Sequence, residues 1–263
     1  GIDSSIVTAL MAGLSDAPVK TFSIGFAEEA FSELHKARAV ARRYGTEHTE
    51  FMVEYGHVPD TLEAVVAHAG EPFADPSALP SWFLAMQTRQ KVTVALNGDG
   101  GDELFAGYQR YWLDRLARLY CALPGFVTGR LVPALAGLLP SRGDKPIEKD
   151  WTAALKRLSQ VAATSPKASI VRWGSYFAPE AARGLWRAGV APQADPVGLL
   201  ARAFDGADAV SFLDRTLAVD LATYLPGDLL VKADRMAMAH GLEGRSPLLD
   251  HVLAEWAARL PVG

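Results

Sequence analysis

The amino-acid sequence predicts an α/β fold in which a parallel sheet with flanking helices precedes a helical carboxy-terminal half. Three short apolar runs, at 19–26, 47–53 and 92–96, have the composition of buried strands. Helical periods separate these runs, and Gly45 and Gly70 end two of the helices. After Asp102 we find no further strand. Strands that alternate with helices indicate βαβ units and therefore a parallel sheet.

The first helix is predicted over residues 6–14, where apolar residues and helix formers follow one another. Asp3, Ser4 and Ser5 lie just before this stretch and are expected to cap the helix. The same five residues, from Gly1 to Ser5, combine glycine, an acid and two hydroxyls at a helix start, where free N–H groups attract an anion. Taken alone, the pattern therefore fits either a helix cap or a phosphate cradle.

The composition excludes several classes of protein. With 263 residues, of which 49% are hydrophobic, the chain buries a sizeable core, so it is neither disordered nor fibrous. The formal charge of −4 and the lack of a long basic run argue against nucleic acid as a partner. No apolar run reaches the roughly 20 residues of a membrane span, so no membrane association is predicted.

The single cysteine, Cys121, cannot form an internal disulfide, which suits a reducing, cytoplasmic location. We expect it to be a buried small apolar side chain. The sequence begins at Gly1 without an initiator methionine or a signal peptide, so we expect an excised piece of a longer protein.

The second motif, NGDGGDE at Asn97–Glu103, follows a predicted strand and precedes a predicted helix. Open α/β sheets bind ligands at this carboxyl edge. Its acids and glycines provide hard oxygen ligands and close backbone approach, the combination that suits Mg²⁺ with a nucleotide. An acidic turn is the plain alternative. An EF-hand loop is excluded because Asp102 and Tyr108 stand where that motif needs glycine and glutamate.

Five ordered segments together resemble the asparagine synthetase family. Gly1–Ser5 resembles the end of the Ser-Gly-Gly-x-Asp-Ser loop of ATP pyrophosphatases, and NGDGGDELFAGY at 97–108 resembles the acidic loop of asparagine synthetases. Three further segments resemble the family and occur in the family's order: TFSIGF at 21–26, EPFADPSALP at 71–80 and YLPGDLLVKADRMAMAHGLEGRSPLLDH at 224–251. The resemblance spans nearly the whole chain, although residues 113–208 carry no motif.

The resemblance implies an ATP-pyrophosphatase core over 1–110 that binds the nucleotide, and a helical part of the same domain over 111–263 that adds substrate-site residues. It implies a ligase that adenylates the side-chain carboxylate of aspartate and lets ammonia attack the acyl-adenylate. Gly1, Ser4 and Ser5 would donate to the pyrophosphate of ATP. Asp3 and Asp102 would hold Mg²⁺.

By the same resemblance, six further residues would contact the nucleotide: Ile2, Ser23, Ile24, Gly25, Asn97 and Gly98. Asp99, where many relatives have glutamate, would lie near the substrate amine or the attacking ammonia. Glu103, Asp228 and Arg245 complete the implied catalytic set. For Asp228 a solvated helix face, and for Arg245 a structural ion pair with Glu243, are equally good explanations.

The family also implies a glutaminase domain elsewhere in the same full-length chain as the source of ammonia, and a homodimer is a candidate assembly. β-Lactam synthetases, amide ligases of peptide biosynthesis and a non-catalytic nucleotide-binding fragment remain alternatives. The family's Arg-Pro-Lys-x-Gly-Phe segment is absent, so the fragment is expected to be catalytically impaired. The strand before the phosphate loop is also absent, and we expect the strands at 19 and 92 to flank an empty lane about 9 to 10 Å wide.

Overall fold

A computed structural model describes residues 1–26, 32–53, 58–71, 73–112 and 195–261, together with isolated positions between 113 and 194. The chain divides into two compact units. One unit joins residues 1–105 to 224–260, and the other joins 106–223 to 261–263. The division at residue 110 remains a prediction about domains, and the structure adds that the segment after 223 packs with the amino-terminal core.

The first unit opens with a parallel βαβ arrangement. Helix α1 (Ile2–Leu14) leads to strand β1 (Lys20–Gly25), and helix α2 (Leu34–Tyr44) connects it to strand β2 (Glu47–Met52). The strands pair in parallel from Lys20 opposite Glu47 to Gly25 opposite Met52. Helix α2 ends at Gly45 with φ of 62°, the left-handed cap that glycine adopts without strain. These elements confirm the predicted strands at 19–26 and 47–53.

Two helices and a short strand follow. Helix α3 (Val58–Ala69) and helix α4 (Ala78–Arg89) precede strand β3 (Val94–Leu96), after which the short helix α5 (Gly101–Phe105) begins. Gly70, with φ of 72°, ends α3 as predicted. The predicted strand at 92–96 is therefore confirmed at its carboxyl end.

The carboxy-terminal residues form helices α6 (Pro196–Gly206) and α7 (Phe212–Ala222), a π-helical turn (Leu225–Leu229) and helix α8 (Leu230–Met238). Strand β4 (Glu243–Arg245), a 3₁₀ turn (Pro247–Leu249) and helix α9 (His251–Ala257) complete the first unit.

Strand β4 contradicts the expectation that no strand follows Asp102 and that the carboxy-terminal half is wholly helical. It pairs in parallel with β3, with Val94 opposite Glu243. Its three residues, Glu-Gly-Arg, are all exposed and contain no apolar run. Because pairing with an available edge, rather than burial, makes this segment extended, the pattern of hydrophobicity gave no signal for it.

The described strands form two separate two-stranded sheets, β1–β2 and β3–β4. Strands β1 and β3 are therefore not hydrogen-bonded to each other. This agrees with the prediction that the two strands do not pair directly. The width of the lane between them stays a prediction.

The core of the first unit is built from segments far apart in sequence. Helix α8 packs on α3 and α4, where Met236, only 1% exposed, contacts Val65 and Ala78. A second cluster joins Ala85 of α4 to Leu242. The amphipathic helices therefore bury their apolar faces against each other rather than only against a sheet.

The second unit contains a buried polar group of its own. The hydroxyl of Tyr111 donates to Oδ2 of Asp220 at 2.5 Å, and Nη2 of Arg110 donates to the same oxygen at 2.8 Å. Burial and the charge of Asp220 raise the pKa of Tyr111, so it remains a protonated donor. These contacts tie the start of the unit to α7.

Within the described part of the chain, no helix has both the length and the apolarity to cross a membrane. Cys121, expected to be a buried small apolar side chain, lies outside the described residues.

Candidate active site

The start of α1 differs from the predicted cap. The helix begins at Ile2, with Gly1 at the capping position and no side-chain cap, so Asp3, Ser4 and Ser5 lie inside the first turn. The hydroxyl of Ser5 donates to the carbonyl of Gly1 at 2.7 Å. The capping role expected of these three side chains is therefore wrong. No side chain caps this helix start with a hydrogen bond, and N–H groups at a helix start favour an anion.

The acidic loop after β3 lies directly on this helix start. A Cβ atom added to Gly98 would lie 2.7 Å from the backbone nitrogen of Ser4, and one added to Gly101 would lie 2.5 Å from Cγ of Asp3. Only glycine at both positions allows so close an approach. The structure thus brings Asp3 against the residue that precedes Asp102, although ninety-nine positions separate the two acids in the chain.

Contacts with β4 and the turn after it fix the shape of the acidic loop. The N–H of Asn97 donates to the carbonyl of Arg245 at 2.9 Å, and the N–H of Asp99 donates to Oδ1 of Asn97 at 3.3 Å. Gly100 has φ of 92°, and a Cβ there would clash with Leu249. The unpredicted strand β4 is therefore the element that holds this loop in place.

A charged cluster forms around Lys232 of α8. Nζ of Lys232 donates to Oδ2 of Asp75 and to Oγ of Ser77, each at 2.7 Å. Burial raises the pKa of Asp75, but hydrogen bonds from Lys232 and Ser77 outweigh it and hold that pKa below its usual value. Asp75 therefore remains ionised beside the lysine.

The carboxyl groups around Lys232 behave differently. Burial is the main reason that the pKa of Asp99 is raised, and the charge of Glu103 adds to the rise while Lys232 opposes it. Burial likewise raises the pKa of Asp228, with a further contribution from Asp75. Glu103 itself is only 1% exposed. Acids with opposite shifts of pKa in one cluster are typical of functional sites.

A cleft of about 730 Å³ opens between α1, β1 and α2. Six of the nine residues predicted to contact the nucleotide line it: Gly1, Ile2, Ser4, Ser5, Ser23 and Ile24. Thr21 and His48, joined by a 2.9 Å hydrogen bond, form part of its wall.

The other three predicted nucleotide contacts lie elsewhere. Gly25 is buried against Leu34 and Met52, and Asn97 and Gly98 belong to the acidic loop. Gly98 nevertheless touches Ser4, which lines the cleft, so the loop and the cleft share the start of α1.

The side chain of Arg245 forms an ion pair with Glu243 at 2.7 Å and is 64% exposed. It lies in strand β4. The backbone of Arg245, through the hydrogen bond from Asn97, is what touches the acidic loop.

Sequence reasoning left three residues of the cluster out of the predicted site: Asp75, Ser77 and Lys232. They fall in two of the family-like segments, at 71–80 and 224–251. The presence of an aspartate in one of these segments and a lysine in the other could have pointed to the pair. Their pairing across 157 positions only became visible in the fold.

The described residues contain no group of three or more His, Cys, Asp or Glu side chains placed to hold a metal ion. Mg²⁺ commonly binds through one or two carboxylates with substrate phosphates and water. The approach of Asp3 to the Asp102 segment is compatible with that simpler set.

A family model described as asparagine synthase matches residues 1–263. The chain belongs to the asparagine synthase family. It is 29% identical over 266 residues to the glutamine-hydrolyzing asparagine synthetase 1 of Bacillus subtilis (strain 168), which covers 99% of this chain and 39% of that protein. It is also 33% identical over 273 residues to a protein of Mycobacterium tuberculosis (strain ATCC 25618 / H37Rv) that is provisionally named as a glutamine-hydrolyzing asparagine synthetase. That match covers 100% of this chain and 38% of the Mycobacterium tuberculosis protein.

One of the similar proteins is not named as an asparagine synthetase. Amidase chry2 of Gibberella zeae (strain ATCC MYA-4620 / CBS 123657 / FGSC 9075 / NRRL 31084 / PH-1) is 23% identical over 292 residues, which is 99% of this chain and 42% of that protein. The chain spans about two fifths of the length of the curated relatives described here. Membership of the family supports amide-forming ligase chemistry.

Proposed function

We propose that this chain is the part of an ATP-dependent ligase that activates the side-chain carboxylate of aspartate by adenylation. In the full-length protein, ammonia then attacks the acyl-adenylate and asparagine and AMP are released. One observation carries the proposal: the acidic loop after β3 lies against the start of α1, with Gly98 on Ser4 and Gly101 on Asp3. A helix start and an acidic loop in contact are the two parts that a metal–pyrophosphate unit needs.

The nucleotide would occupy the cleft beside α1. Its phosphates would meet the N–H groups and hydroxyls at the helix start, contributed by Gly1, Ser4 and Ser5. Ile2, Ser23 and Ile24 line the same cleft and would flank the base and ribose. Gly25 would act by keeping the end of β1 close to α2, because a side chain there would collide with Leu34.

Asp3 and Asp102 would hold Mg²⁺ together with the phosphates. A bound Mg²⁺ supplies charge neutralisation for the phosphates and for the leaving pyrophosphate. The donor set fits, because hard carboxylate oxygens suit this ion and the two acidic segments touch. Asn97 and Gly98 would face the phosphates from the loop.

Asp99 would act at the second step. A carboxylate near the acyl carbon would accept a proton as the ammonia nitrogen forms its bond and AMP leaves. Burial raises its pKa, which makes it a stronger base once it is ionised. Asp228 and Glu103 would shape the charge around it, and Arg245 would support the loop through its backbone.

The test is an assay of the protein at its natural full length with aspartate, ATP and either ammonium or glutamine. We expect asparagine, AMP and pyrophosphate in equal amounts. Asp102→Ala should lower pyrophosphate release at least about a hundredfold, because a metal ligand contributes several kcal/mol at 1.36 kcal/mol per tenfold. Glutaminase activity should be nearly unchanged, and Asp60→Ala, an exposed acid of α3, serves as the control. Near-normal pyrophosphate release by Asp102→Ala would contradict the metal assignment.

A different acceptor is the second candidate function. Asp99 is shorter than the glutamate of many asparagine synthetases, and Amidase chry2 is also similar to this chain. A β-lactam synthetase or a peptide-modifying amide ligase would keep pyrophosphate release with a carboxylate other than aspartate. If neither aspartate nor any other amino acid led to pyrophosphate release, a non-catalytic nucleotide-binding role would be favoured.

The remaining expectations belong to the full-length protein. We propose a glutaminase domain as the partner that supplies ammonia, in keeping with the glutamine-hydrolyzing relatives. A cytoplasmic location and a homodimer also stay proposals, tested by fractionation and by light scattering.

A further inference from the structure

The cleft beside α1 has polar groups at both ends and apolar walls between them. The start of α1 forms one end, and Thr21 with His48 forms the other. The connection from α1 to β1 is short, residues 15–19, so the strand runs back along the helix and Thr21 lies away from the helix start. From Gly1 to Ala9 the helix rises about 12 Å. The walls between the two ends are apolar: Ile6, Ala9, Ala37, Val40 and Ala41.

A chain of polar contacts leads from the surface to Thr21. Nε and Nη2 of Arg38 donate to the two carboxylate oxygens of Glu50 at 2.7 Å each. Nε2 of His48 lies 3.5 Å from Oε1 of Glu50, and Nδ1 of His48 lies 2.9 Å from Oγ1 of Thr21. The hydroxyl oxygens of Thr21 and Thr46 are also 2.9 Å apart. The side chain of His48 is only 12% exposed, so its neighbours rather than water set the position of its ring proton.

The charge of Glu50 sets the direction of these hydrogen bonds. The hydrogen bond from Arg38 lowers the pKa of Glu50, which therefore stays a carboxylate. A carboxylate attracts the proton of a neutral His48 ring to Nε2, which leaves Nδ1 as an acceptor. Thr21 then donates its single hydroxyl hydrogen to Nδ1, and Thr46 donates to Thr21. Because a hydroxyl oxygen has two lone pairs, Thr21 keeps one acceptor position and has no hydrogen left to offer.

We propose that Thr21, held by His48, is the residue that selects adenine among the purine bases. This inference rests on the proposed function, in which a nucleoside triphosphate fills the cleft. With the phosphates at the start of α1, the apolar walls surround the base and its far edge meets Thr21. The 6-amino group of adenine offers the hydrogen that Thr21 lacks. The 6-oxo group of guanine or hypoxanthine would instead set two acceptors against each other.

The experiment measures the Kd of the full-length protein with Mg²⁺, and without aspartate, for ATP, inosine triphosphate and purine riboside triphosphate. The wild type should bind ATP at least about tenfold more tightly than either analogue, because both lack the amino hydrogen. Thr21→Val should weaken ATP binding about tenfold and bring it level with purine riboside triphosphate, whereas Thr21→Ser should keep the preference. Thr223→Val is the control, because that hydroxyl donates to the carbonyl of Val219 in α7.

His48→Phe distinguishes this inference from a merely structural role of the contacts. Without Nδ1, the hydroxyl hydrogen of Thr21 is free to turn toward the cleft and to donate to a 6-oxo group. Inosine triphosphate should therefore bind about tenfold more tightly to His48→Phe than to the wild type, a gain that lost packing would not produce. ¹⁵N NMR of the histidine rings, with His48 assigned through the same variant, should show the proton on Nε2 in the nucleotide-free protein.

Failure of this inference and failure of the proposed function give different results. If the wild type binds ATP with the expected preference but releases no pyrophosphate with aspartate, the proposed function fails and the inference holds. If the wild type binds inosine triphosphate as tightly as ATP, or if Thr21→Val keeps the preference for ATP, the inference is wrong and the proposed function is untouched. A ring proton on Nδ1 of His48 would also overturn it. If Thr21→Val does not fold, Thr21→Ser and His48→Phe still decide it.

Discussion

Asp99 is a carboxyl group that the fold holds in an unfavourable setting. Because burial raises its pKa above the unfolded value, the unfolded chain releases this proton at lower pH than the folded chain does. The folded state is therefore favoured below the unfolded pKa, and that advantage is lost as pH rises through the folded pKa. At neutral pH, ionised Asp99 should cost stability, as active-site groups often do.

We predict that Asp99→Asn abolishes asparagine formation yet stabilises the free protein at pH 7.5 by about 1 kcal/mol, a rise in Tm of about 2–4 °C. The gain should shrink as pH is lowered toward the folded pKa of Asp99, because Asp99 then regains its proton. Calorimetry over a series of pH values from 7.5 downward measures this, with the exposed Asp60→Asn as the control. A variant less stable than the wild type at pH 7.5 would refute the assignment.

Alanine substitutions at Gly98 and Gly13 test whether the contact between the acidic loop and α1 requires glycine. Gly98→Ala should cost about 1–3 kcal/mol of stability because its Cβ would press on the Ser4 backbone. Gly13→Ala, in α1 with nothing within 4 Å of the new Cβ, should stabilise by about 0.5–1 kcal/mol. Urea unfolding of the two variants gives the comparison. Equal effects would mean that the loop does not rest on α1 in solution.

Between α3, α4 and the end of α8, two histidines contact one tryptophan. Trp82 lies edge-on to His240, with ring centroids 4.5 Å apart, and to His68 at 5.9 Å. Burial, and then the neighbouring His68, lower the pKa of His240. A histidine with a lowered folded pKa contributes stability above its unfolded pKa, and this is lost as pH falls below about 6.5.

We therefore predict that the free energy of unfolding falls between pH 7.5 and pH 5.5, by at least a few tenths of a kcal/mol after solvent screening. His240→Phe should reduce this pH dependence, whereas His251→Phe, at a side chain that is 83% exposed, should not. Urea titrations at the two pH values decide the matter. If the free energy of unfolding of His240→Phe depended on pH as strongly as that of the wild type, the titrating group would be another residue.

The first compact unit draws its core from both ends of the chain, since residues 224–260 join residues 1–105. Met236 of α8 fills the space between Val65 and Ala78, while Met238 on the same helix is 54% exposed. Stability of the amino-terminal part of this unit should therefore depend on a helix that follows it by more than a hundred positions.

Met236→Ala should destabilise this unit by about 2–5 kcal/mol, and Met238→Ala should change stability by less than about 1 kcal/mol. Hydrogen exchange of β1, β2 and α4 amides would report the loss directly. Protection that persists in these elements in Met236→Ala would mean that α8 is not part of their cooperative unit.

Local pattern was sufficient for most of the regular elements and for the two motifs, one at the start of α1 and one after β3. Hydrophobic periodicity and the glycines at the helix ends predicted α2 and α3, and the alternation of strands with helices predicted the parallel pair β1–β2. These features could be predicted because they depend on residues within one segment of the chain. The start of α1 and the acidic loop were expected to lie close together, and Gly98 and Gly101 rest on Ser4 and Asp3.

Long-range contacts supplied the rest. Strand β4 has no apolar pattern and exists through its pairing with β3, so sequence periodicity could not indicate it. The pairing of Lys232 with Asp75 joins two segments 157 positions apart, and no local rule selects one lysine and one aspartate as partners. The chemistry offered at each motif was thus readable from the sequence, whereas the burial, the ion pair and the neighbouring charges that set the pKa of Asp99 arise only when distant segments pack together.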